Sequence, residues 1–590
     1  MKRKSLGIVS LIIAATMLFT ACNSNSSKPS ESASGSPEAS TAPSASASAA
    51  PSATAATVEK DPDQTLRLVF LEPESLDPNA AYDTGTFSIL NATQEGLVRA
   101  KNTGGADEIV PAGAEKWETS ADGLTWTFHL RDFNWTDGKP VTAQHYVDSV
   151  IRLLTKDNAF PYAYFGYDIK NGEAFNLGNA KAEDVGVKAL DDKTLQFTLE
   201  RPVPFFLSKL EYPVFYPVRL DVIQAGGENW ASDPAKQVYS GPYTIKEWVK
   251  NNSITLDKNP KYWDADNTSI TSVVMNDIPE FATQAQLFES QQLDVTGSLQ
   301  EYVAKWKQDA ANGKFVGISG DTPLTGFMAF NQKTGGPSGI LKNVKIREAL
   351  SLAFDRNELV TAIYGRYSPA YGFVPKTLAS GSVDYRTTVP EPLKALADQY
   401  ENKPEELQKL FHEGLKELGK DTANLKDIKL TFITTGTGAT DKQRQEWWKQ
   451  QFEKNLGITV DMKVFGDTKL YNQAKNAWEF DIMTSGWIGD YNDPLTFLDM
   501  WVTDGGNNYS SYSNPEYDKL LKDLSTVTDE AQRLDIYKKL EQKLVAEDFG
   551  ITPTYYGDTQ RFVQNYVKDF YFPIFGPVYD WTKAYIAKRN

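Results

Sequence analysis

Alternating apolar and polar residues mark short strands along this chain. In residues 124–130 every second residue is apolar, and residues 195–199 repeat that period, as half-buried strands do. Further strands are predicted at 66–71, 429–434, 459–464, 480–483 and 551–555. Helices are predicted at 344–364, 441–455, 515–525 and 529–547, and Asn514 followed by Pro515 is a typical helix start. Strands that alternate with helices indicate α/β lobes with largely parallel sheets.

The N-terminus reads as a secretion signal followed by a tether. Lys2, Arg3 and Lys4 precede an apolar run over residues 6–19, which is too short to span a bilayer comfortably. Cys22 is the single cysteine, and the residues before it resemble the lipobox of bacterial lipoproteins, although Phe19 stands where an aliphatic residue is usual. We therefore expect Cys22 to be acylated. Residues 23–57 contain 12 Ser, 10 Ala and 4 Pro, which predicts a flexible linker.

Length and charge narrow the class of protein. Of the 590 residues, those after the linker are too many for one ordinary core, so we expect at least two lobes. The formal net charge of -16 argues against nucleic acid as a partner, because nucleic-acid binding needs Lys and Arg to displace counterions.

Signals of catalysis or metal binding are weak. The three histidines, His129, His145 and His412, have no metal-ligand spacing, so we expect no metal and no cofactor. A nucleophile–base site has little support, and there is no Gly-x-Ser-x-Gly and no phosphate-binding glycine loop. Acidic residues are too abundant to exclude a two-carboxylate glycosidase by counting, but nothing specific indicates an enzyme.

Aromatic residues are instead concentrated in loop-like segments. Tyr162 and Tyr164 lie in one such segment, and Tyr555 lies in another. Asp490 is the unusual residue, because it sits between Trp487 and Tyr491. A carboxylate among aromatic side chains suits the cationic end of a ligand, which needs a charged partner and an apolar wall.

At this point a set of motifs identifies a family. The chain resembles the extracellular solute-binding proteins of oligopeptide and dipeptide importers, in order, over nearly all of residues 58–590. The motifs are Glu72-Pro73-Glu74-Ser75-Leu76-Asp77-Pro78, Ala114-Glu115-Lys116-Trp117-Glu118, Asp122-Gly123, Phe128-His129-Leu130-Arg131, Trp135, Asp137-Gly138, Pro140-Val141-Thr142-Ala143, Ser240-Gly241-Pro242-Tyr243, Lys258-Asn259-Pro260-Lys261-Tyr262-Trp263, Val344-Lys345-Ile346-Arg347-Glu348-Ala349-Leu350, Ala353-Phe354-Asp355-Arg356, and Gly486-Trp487 with Asp490-Tyr491 and Asp493-Pro494.

The resemblance implies an α/β, two-lobed periplasmic-binding-protein-like fold with a hinge and an extra subdomain inserted in the first lobe. The expected layout is a lipoprotein signal peptide in 1–22, the linker in 23–57, the first lobe in 58–84, 237–326 and 554–590, the inserted subdomain in 85–236, and the second lobe in 327–553.

The resemblance also implies how a peptide would be held. Leu71 and Glu72, in the edge at 71–74, and Gly486 and Ile488, in the segment 486–489, would pair with its backbone. Asp490 matches the aspartate that holds the ligand's α-ammonium, and Trp487 and Tyr491 would wall that end.

Two departures from the family pattern affect this picture. Pro73 has no N–H to donate. Thr484 stands where some relatives carry an arginine, so the anchor for the ligand's carboxylate is open, with Lys475 as one candidate.

The implied function is transport rather than catalysis. We expect an extracytoplasmic, lipid-anchored monomer that captures peptides between closing lobes and delivers them to ABC permease subunits in the membrane. Alternatives are the same fold binding an oligosaccharide, a nickel chelate or haem, and a peptide-signal receptor. Scarce histidine disfavours direct nickel ligation, and a neutral sugar has no ammonium for Asp490 to pair with.

Overall fold

The computed structural model describes residues 59–589 apart from 71, 74, 103–106, 298, 299 and 421. The predicted signal peptide, linker and acylated Cys22 therefore lie outside the described residues, as does Leu71. The strands are β1 Thr65–Phe70, β2 Val98–Asn102, β3 Asp107–Pro111, β4 Ala114–Thr119, β5 Thr125–Leu130, β6 Val187–Asp191, β7 Thr194–Thr198, β8 Tyr243–Val249, β9 Ser253–Lys258, β10 Ser272–Asp277, β11 Val295–Gly297, β12 Phe315–Phe330, β13 Ser368–Pro369, β14 Ala379–Ser380, β15 Val383–Asp384, β16 Lys429–Thr435, β17 Thr459–Phe465, β18 Ile482–Ile488, β19 Ile551–Gln564, β20 Val567–Lys568 and β21 Tyr585–Ile586.

Helices of very different length connect these strands. They are α1 Thr84–Thr93, α2 Ala143–Leu154, α3 Gly172–Asn176, α4 Phe206–Leu210, α5 Leu220–Gly226, α6 Phe281–Glu289, α7 Gln300–Ala311, α8 Val344–Leu352, α9 Arg356–Glu358, α10 Tyr385–Thr388, α11 Lys394–Tyr400, α12 Pro404–Glu417, α13 Ala439–Leu456, α14 Thr468–Asn476, α15 Leu495–Leu498, α16 Pro515–Leu524 and α17 Glu530–Gln542. Among the described residues, no helix is both apolar enough and long enough to cross a bilayer.

The first lobe is built on the sheet β1-β10-β9-β8, in which β1 runs parallel to β10 and the other pairs are antiparallel. A separate antiparallel sheet, β4-β5-β7-β6, forms the inserted subdomain and packs against α2. In β5 the buried residues Trp126, Phe128 and Leu130 alternate with half-buried ones. This alternation confirms the strand predicted from the sequence.

The second lobe is built on β16, β17 and β18, which join the sheet β11-β19-β12-β18-β16-β17. β16 is parallel to both β17 and β18, whereas β18 is antiparallel to β12. Of the strand pairs in the described ranges, only these two and β1–β10 are parallel, so the prediction of largely parallel sheets is wrong. The reason is that hairpins and two long antiparallel strands, rather than helical crossovers, make most of the pairs.

Those two long strands, β12 and β19, run through both lobes. β19 pairs with β11 near its end and with β12 along most of its length, while β12 ends beside β18 of the second lobe. Their register shifts between Asp321 and Thr325, which interrupts the ladder midway. Extra residues in one strand bend a ribbon at that point.

One predicted helix is interrupted. Residues 344–364 form α8, a break, α9 and a π-helical turn at Leu359–Ile363. Asp355 causes the restart, because its Oδ1 accepts the backbone N–H groups of Asn357 at 2.8 Å and Glu358 at 3.0 Å. The predicted start at Asn514 is confirmed, since that side chain accepts from the first turn of α16.

Candidate functional site

Asp490 lies two residues after β18, at a sharp turn on the surface of the second lobe that faces the inserted subdomain. Gly489 donates its N–H to the carbonyl of Pro323 at 2.7 Å, and Asp490 donates its own N–H to Oγ1 of Thr496 at 2.9 Å. These two bonds hold the backbone, so the carboxylate direction is set by the fold. Only 9% of the residue is exposed.

The inserted subdomain reaches across and touches this carboxylate. Tyr162 donates its hydroxyl to Oδ1 at 3.3 Å, and Tyr164 donates to Oδ2 at 3.0 Å. Beside them, Tyr491 stacks on Phe205 with ring centroids 4.3 Å apart and planes 2° apart. The aromatic side chains therefore join the inserted subdomain to the second lobe around Asp490.

The charge of Asp490 has no counterion. Its carboxylate forms no ion pair with any described residue, and Lys209, the base that influences it, is bonded to Asp168 at 2.5 Å. Burial raises the pKa of Asp490 to about 6, and the two tyrosine hydroxyls oppose this only in part. A buried carboxylate with hydrogen bonds but no cation suits a positively charged ligand group.

One edge of β18 is open over its last residues. On one side β18 pairs with β12 along its whole length. On the other side β16 pairs with it only at Ile482 and Met483. Within the described part of the chain, the side of residues 484–488 that faces away from β12 therefore carries no strand.

The direction of the backbone bonds shows which groups face this open edge. The bond from Gly489 to Pro323 continues the β12–β18 register. Because main-chain groups alternate in direction along an antiparallel pair, the N–H and C=O of Gly486 and Ile488 point away from β12. These four groups are free to pair with an added strand.

α14 closes the far end of the open edge. Tyr471 donates its hydroxyl to the carbonyl of Thr484 at 3.3 Å. One turn later, Nζ of Lys475 lies 4.8 Å from the ring centre of Tyr509. Lys475 forms no ion pair with a described residue, and burial lowers its pKa. Its role as an anchor for the ligand's carboxylate stays a prediction.

A cavity of about 870 Å³ adjoins Asp490 between the inserted subdomain and the second lobe. Trp487 and Tyr491 form part of its wall on the second-lobe side, and Tyr164 does so on the other. The indole N–H of Trp487 is buried and has no acceptor among the described residues. A concave space with aromatic walls and a few polar groups is typical of small-ligand sites.

Known proteins place this arrangement in a family. A model of the bacterial extracellular solute-binding proteins, family 5 Middle, matches residues 108–509. The periplasmic oligopeptide-binding protein OppA of Salmonella typhimurium is 33% identical over 503 residues, covering 84% of this chain and 87% of that protein.

Solved structures agree with this. The structure of Listeria monocytogenes OppA bound to peptide has a TM-score of 0.73 at 32% identity, covering 90% of this chain and 100% of that one. The pheromone receptor PrgZ has a TM-score of 0.73 at 25% identity, covering 89% and 100%. This chain belongs to the family 5 extracellular solute-binding proteins. Family 5 proteins act outside the cytoplasm and bind solutes rather than transform them.

In this family 5 protein, the residues predicted for the ligand's amino end lie together. Trp487, Asp490 and Tyr491 line the cavity together with Tyr164. Tyr162, predicted with Tyr164 from their aromatic segment, donates to Asp490. Their roles toward a ligand stay predictions. Ile488, which is 56% exposed, and Gly486 lie on the neighbouring strand edge.

Tyr555 and Glu72 lie elsewhere. Tyr555 is on β19, in a cross-strand row with Gly326 and Gly486, and its ring stacks on Tyr367 at 4.5 Å. The Glu72 carboxylate accepts from the indole of Trp248 at 3.1 Å and the N–H of Asn251 at 3.0 Å. It is therefore held by the β8–β9 hairpin of the first lobe, and only its main chain remains for a ligand.

Some residues around the cavity were not predicted. Phe205 provides the stacking partner of Tyr491. Asp168 binds Arg201 at 2.6 Å and Lys209 at 2.5 Å, and Asp499 lies nine residues after Asp490 on the same wall. Charged residues far apart in the chain show no local pattern, so no sequence signal indicated Asp168 and its partners.

The histidines lie away from this site. His145 accepts the backbone N–H of Thr142 at 3.1 Å, and His129 is 3.5 Å from Glu118. Among the residues that the structure describes, no group of three or more His, Cys, Asp or Glu side chains is arranged to hold a metal ion.

Proposed function

We propose that this protein is the extracytoplasmic substrate-binding component of an ABC importer, and that it captures peptides between its two lobes and delivers them to the permease. The observation that carries the proposal is Asp490, a buried carboxylate that forms no ion pair with a described residue and lies where an open strand edge ends. A peptide supplies both missing partners, a strand and an ammonium.

The peptide backbone pairs with the open edge. The N–H and C=O groups of Gly486 and Ile488 are spaced two residues apart, as an extended peptide requires. Because these groups repeat in every peptide, pairing with them gives affinity without selecting side chains. Backbone groups at 71–74 of the first lobe pair with the peptide's other edge, and this part of the proposal rests on the family resemblance alone.

The peptide's amino terminus binds Asp490. An ammonium has three donors, and a carboxylate has enough acceptor sites to keep the hydroxyls of Tyr162 and Tyr164 as well. Those tyrosines belong to the inserted subdomain and Asp490 belongs to the second lobe. Lobe closure therefore brings together the same groups around Asp490 that surround the bound ammonium. Trp487 and Tyr491 exclude water from the pair.

Closure follows from bending at the β12–β19 ribbon. A ligand shifts the open–closed equilibrium only by its stronger binding to the closed state, and here the closed state alone gives it both walls of the cavity. The closed form then docks on the permease. The segment boundaries expected from the resemblance stay a prediction.

Several further parts of the proposed function rest on the amino-acid sequence. Acylation of Cys22 would anchor the mature chain to the membrane, residues 23–57 would tether the binding unit, and the protein would act as a monomer. A role in signalling rather than nutrition would use the same chemistry, and the similarity to PrgZ supports it as a second candidate. An oligosaccharide, nickel chelate or haem lacks an ammonium for Asp490.

A double-mutant cycle tests the proposal. Calorimetry compares trialanine with N-acetyl-trialanine on the native protein and on Asp490→Asn. Acetylation removes the ammonium, so it should weaken native binding roughly 10²–10³-fold, the scale of a broken buried ion pair, and affect the variant far less. Asp132→Asn, on the exposed surface of the inserted subdomain, is the matched control. A coupling energy near zero would contradict the proposal and favour a neutral solute.

A further inference from the structure

The cavity continues beyond Asp490, away from the open edge of β18. Its far walls include Tyr167 of the inserted subdomain and Asp499 of the second lobe, and its volume is about 870 Å³. A single ammonium at Asp490 fills only a small part of that space.

The wall of this cavity is acidic. Its acids are Asp168, Glu173, Glu200, Asp490, Asp499 and Asp518, and its bases are Arg201, Lys209, Lys522 and Arg533. Arg201 and Lys209 both bind Asp168, and Arg533 lies 3.7 Å from Asp493. Within the described part of the chain, Lys522 is therefore the only base of the wall without an acidic partner, and it is exposed.

Asp499 is the acid best placed for a second ligand group. It is open to the cavity, and its Oδ2 accepts the hydroxyl of Tyr491 at 3.4 Å. It forms no ion pair with a described residue. Burial raises the pKa of Asp499 to about 7, the charges of Arg201 and Lys209 oppose this rise, and the charge of Asp490 adds to it. Asp490 and Asp499 are thus two carboxylates in one cavity that form no direct ion pair with a described residue.

We propose that this cavity receives a positively charged side chain on the ligand's first residue, lysine, ornithine or arginine, and that Asp499 pairs with it. The proposal rests on the proposed function, since it takes the α-ammonium to be at Asp490. The apolar stem of such a side chain lies along Tyr164 and Tyr167, and its charged head reaches Asp499, in the way that long basic side chains divide between apolar and polar surroundings.

Three tripeptides that differ only in the first residue test this. Calorimetry at pH 7.5 on the purified full-length chain compares Lys-Ala-Ala, norleucine-Ala-Ala and Glu-Ala-Ala. Lysine and norleucine have nearly the same length and differ in the charge. We expect Lys-Ala-Ala to bind at least tenfold more tightly than norleucine-Ala-Ala, and Glu-Ala-Ala to bind most weakly.

Variants then assign the effect to Asp499. Asp499→Asn should remove the lysine advantage and leave the affinity for norleucine-Ala-Ala within about threefold of native, whereas Asp132→Asn should keep the native ranking. If Asp499→Asn does not fold, Asp499→Glu, which keeps the charge, should retain the lysine advantage.

The outcomes separate this inference from the proposed function. Equal native affinity for the lysine and norleucine peptides would overturn the role of the cavity, while the acetylation cycle at Asp490 would still stand. A lysine advantage that survives Asp499→Asn would overturn the role of Asp499. If none of the three peptides binds, the proposed function fails and this inference fails with it.

Discussion

The two walls of the cavity each carry a buried carboxylate, and the two carboxylates differ in their charged partners and in the direction of their pKa shifts. On the inserted subdomain, Asp168 is bound by Arg201 and Lys209, and these charges lower its pKa despite burial. On the second lobe, Asp490 accepts from two tyrosine hydroxyls and forms no ion pair with a described residue, and burial raises its pKa. Asp168 has cationic partners within the protein, whereas Asp490 has no such partner among the described residues. We therefore infer that Asp168 serves stability and Asp490 serves binding.

The largest expected effect of this contrast is on the free energy of unfolding of the ligand-free protein. Asp168→Asn removes the acid to which both Arg201 and Lys209 are bonded, so the free energy of unfolding should fall by ~3–5 kcal/mol. Asp490→Asn removes an uncompensated buried charge, so the free energy of unfolding at pH 7 should stay unchanged or rise. Urea denaturation measures both. Equal losses in the two variants would show that the walls do not differ.

A second test uses pH. The folded-state pKa of Asp490 is about 6, which lies above its unfolded value of 3.8. The ligand-free fold therefore loses stability as the pH rises from the unfolded pKa to the folded pKa of Asp490. Asp168, with a lowered pKa, contributes stability that is lost as pH falls below its usual range. The peptide needs Asp490 ionised, so its affinity should fall about tenfold from pH 7 to pH 5.

Calorimetry of trialanine across that range checks the prediction. Asp490→Asn should bind weakly and show almost no dependence on pH between 5 and 7. A native affinity that does not change over those two units would mean that Asp490 is ionised throughout, and hence that it is not isolated from other charges.

The smallest expected effect concerns the tyrosine hydroxyls. Tyr164→Phe removes the shorter of the two bonds to Asp490, and peptide affinity should fall roughly threefold to tenfold. With trialanine, which has no long first side chain, Tyr167→Phe is the matched control, because Tyr167 lines the same cavity but donates to Asn176 at 2.7 Å. Equal losses in the two variants would show that the hydroxyl at Asp490 has no special role.

Sequence patterns predicted local features well. The strand at β5, the start of α16 and the grouping of Trp487, Asp490 and Tyr491 all follow from residues close in the chain. The direction of strand pairing was predicted wrongly, since β12 and β19 meet only in the folded chain. The helix over 344–364 was predicted without its break, because a single Asp355 decides it.

The partners of Asp168 were missed for a related reason. Arg201 and Lys209 lie 33 and 41 residues away, and neither carries a local signal. The lack of a counterion at Asp490 is also invisible in sequence, because it is a property of the surroundings in three dimensions. The family resemblance indicated which residue would bind the ligand's ammonium, but not whether a cation of the protein already pairs with the carboxylate of Asp490.

The ribbon of β12 and β19 has a mechanical consequence. Two hydrogen-bonded strands bend easily out of their plane but resist sliding past one another, because sliding would break the ladder on both sides of the irregularity near Asp321. A two-stranded ribbon of this kind therefore bends most easily in one direction, out of its own plane. Each cycle of opening and closing would then return Tyr162 and Tyr164 to the same carboxylate, without any separate guide to align them.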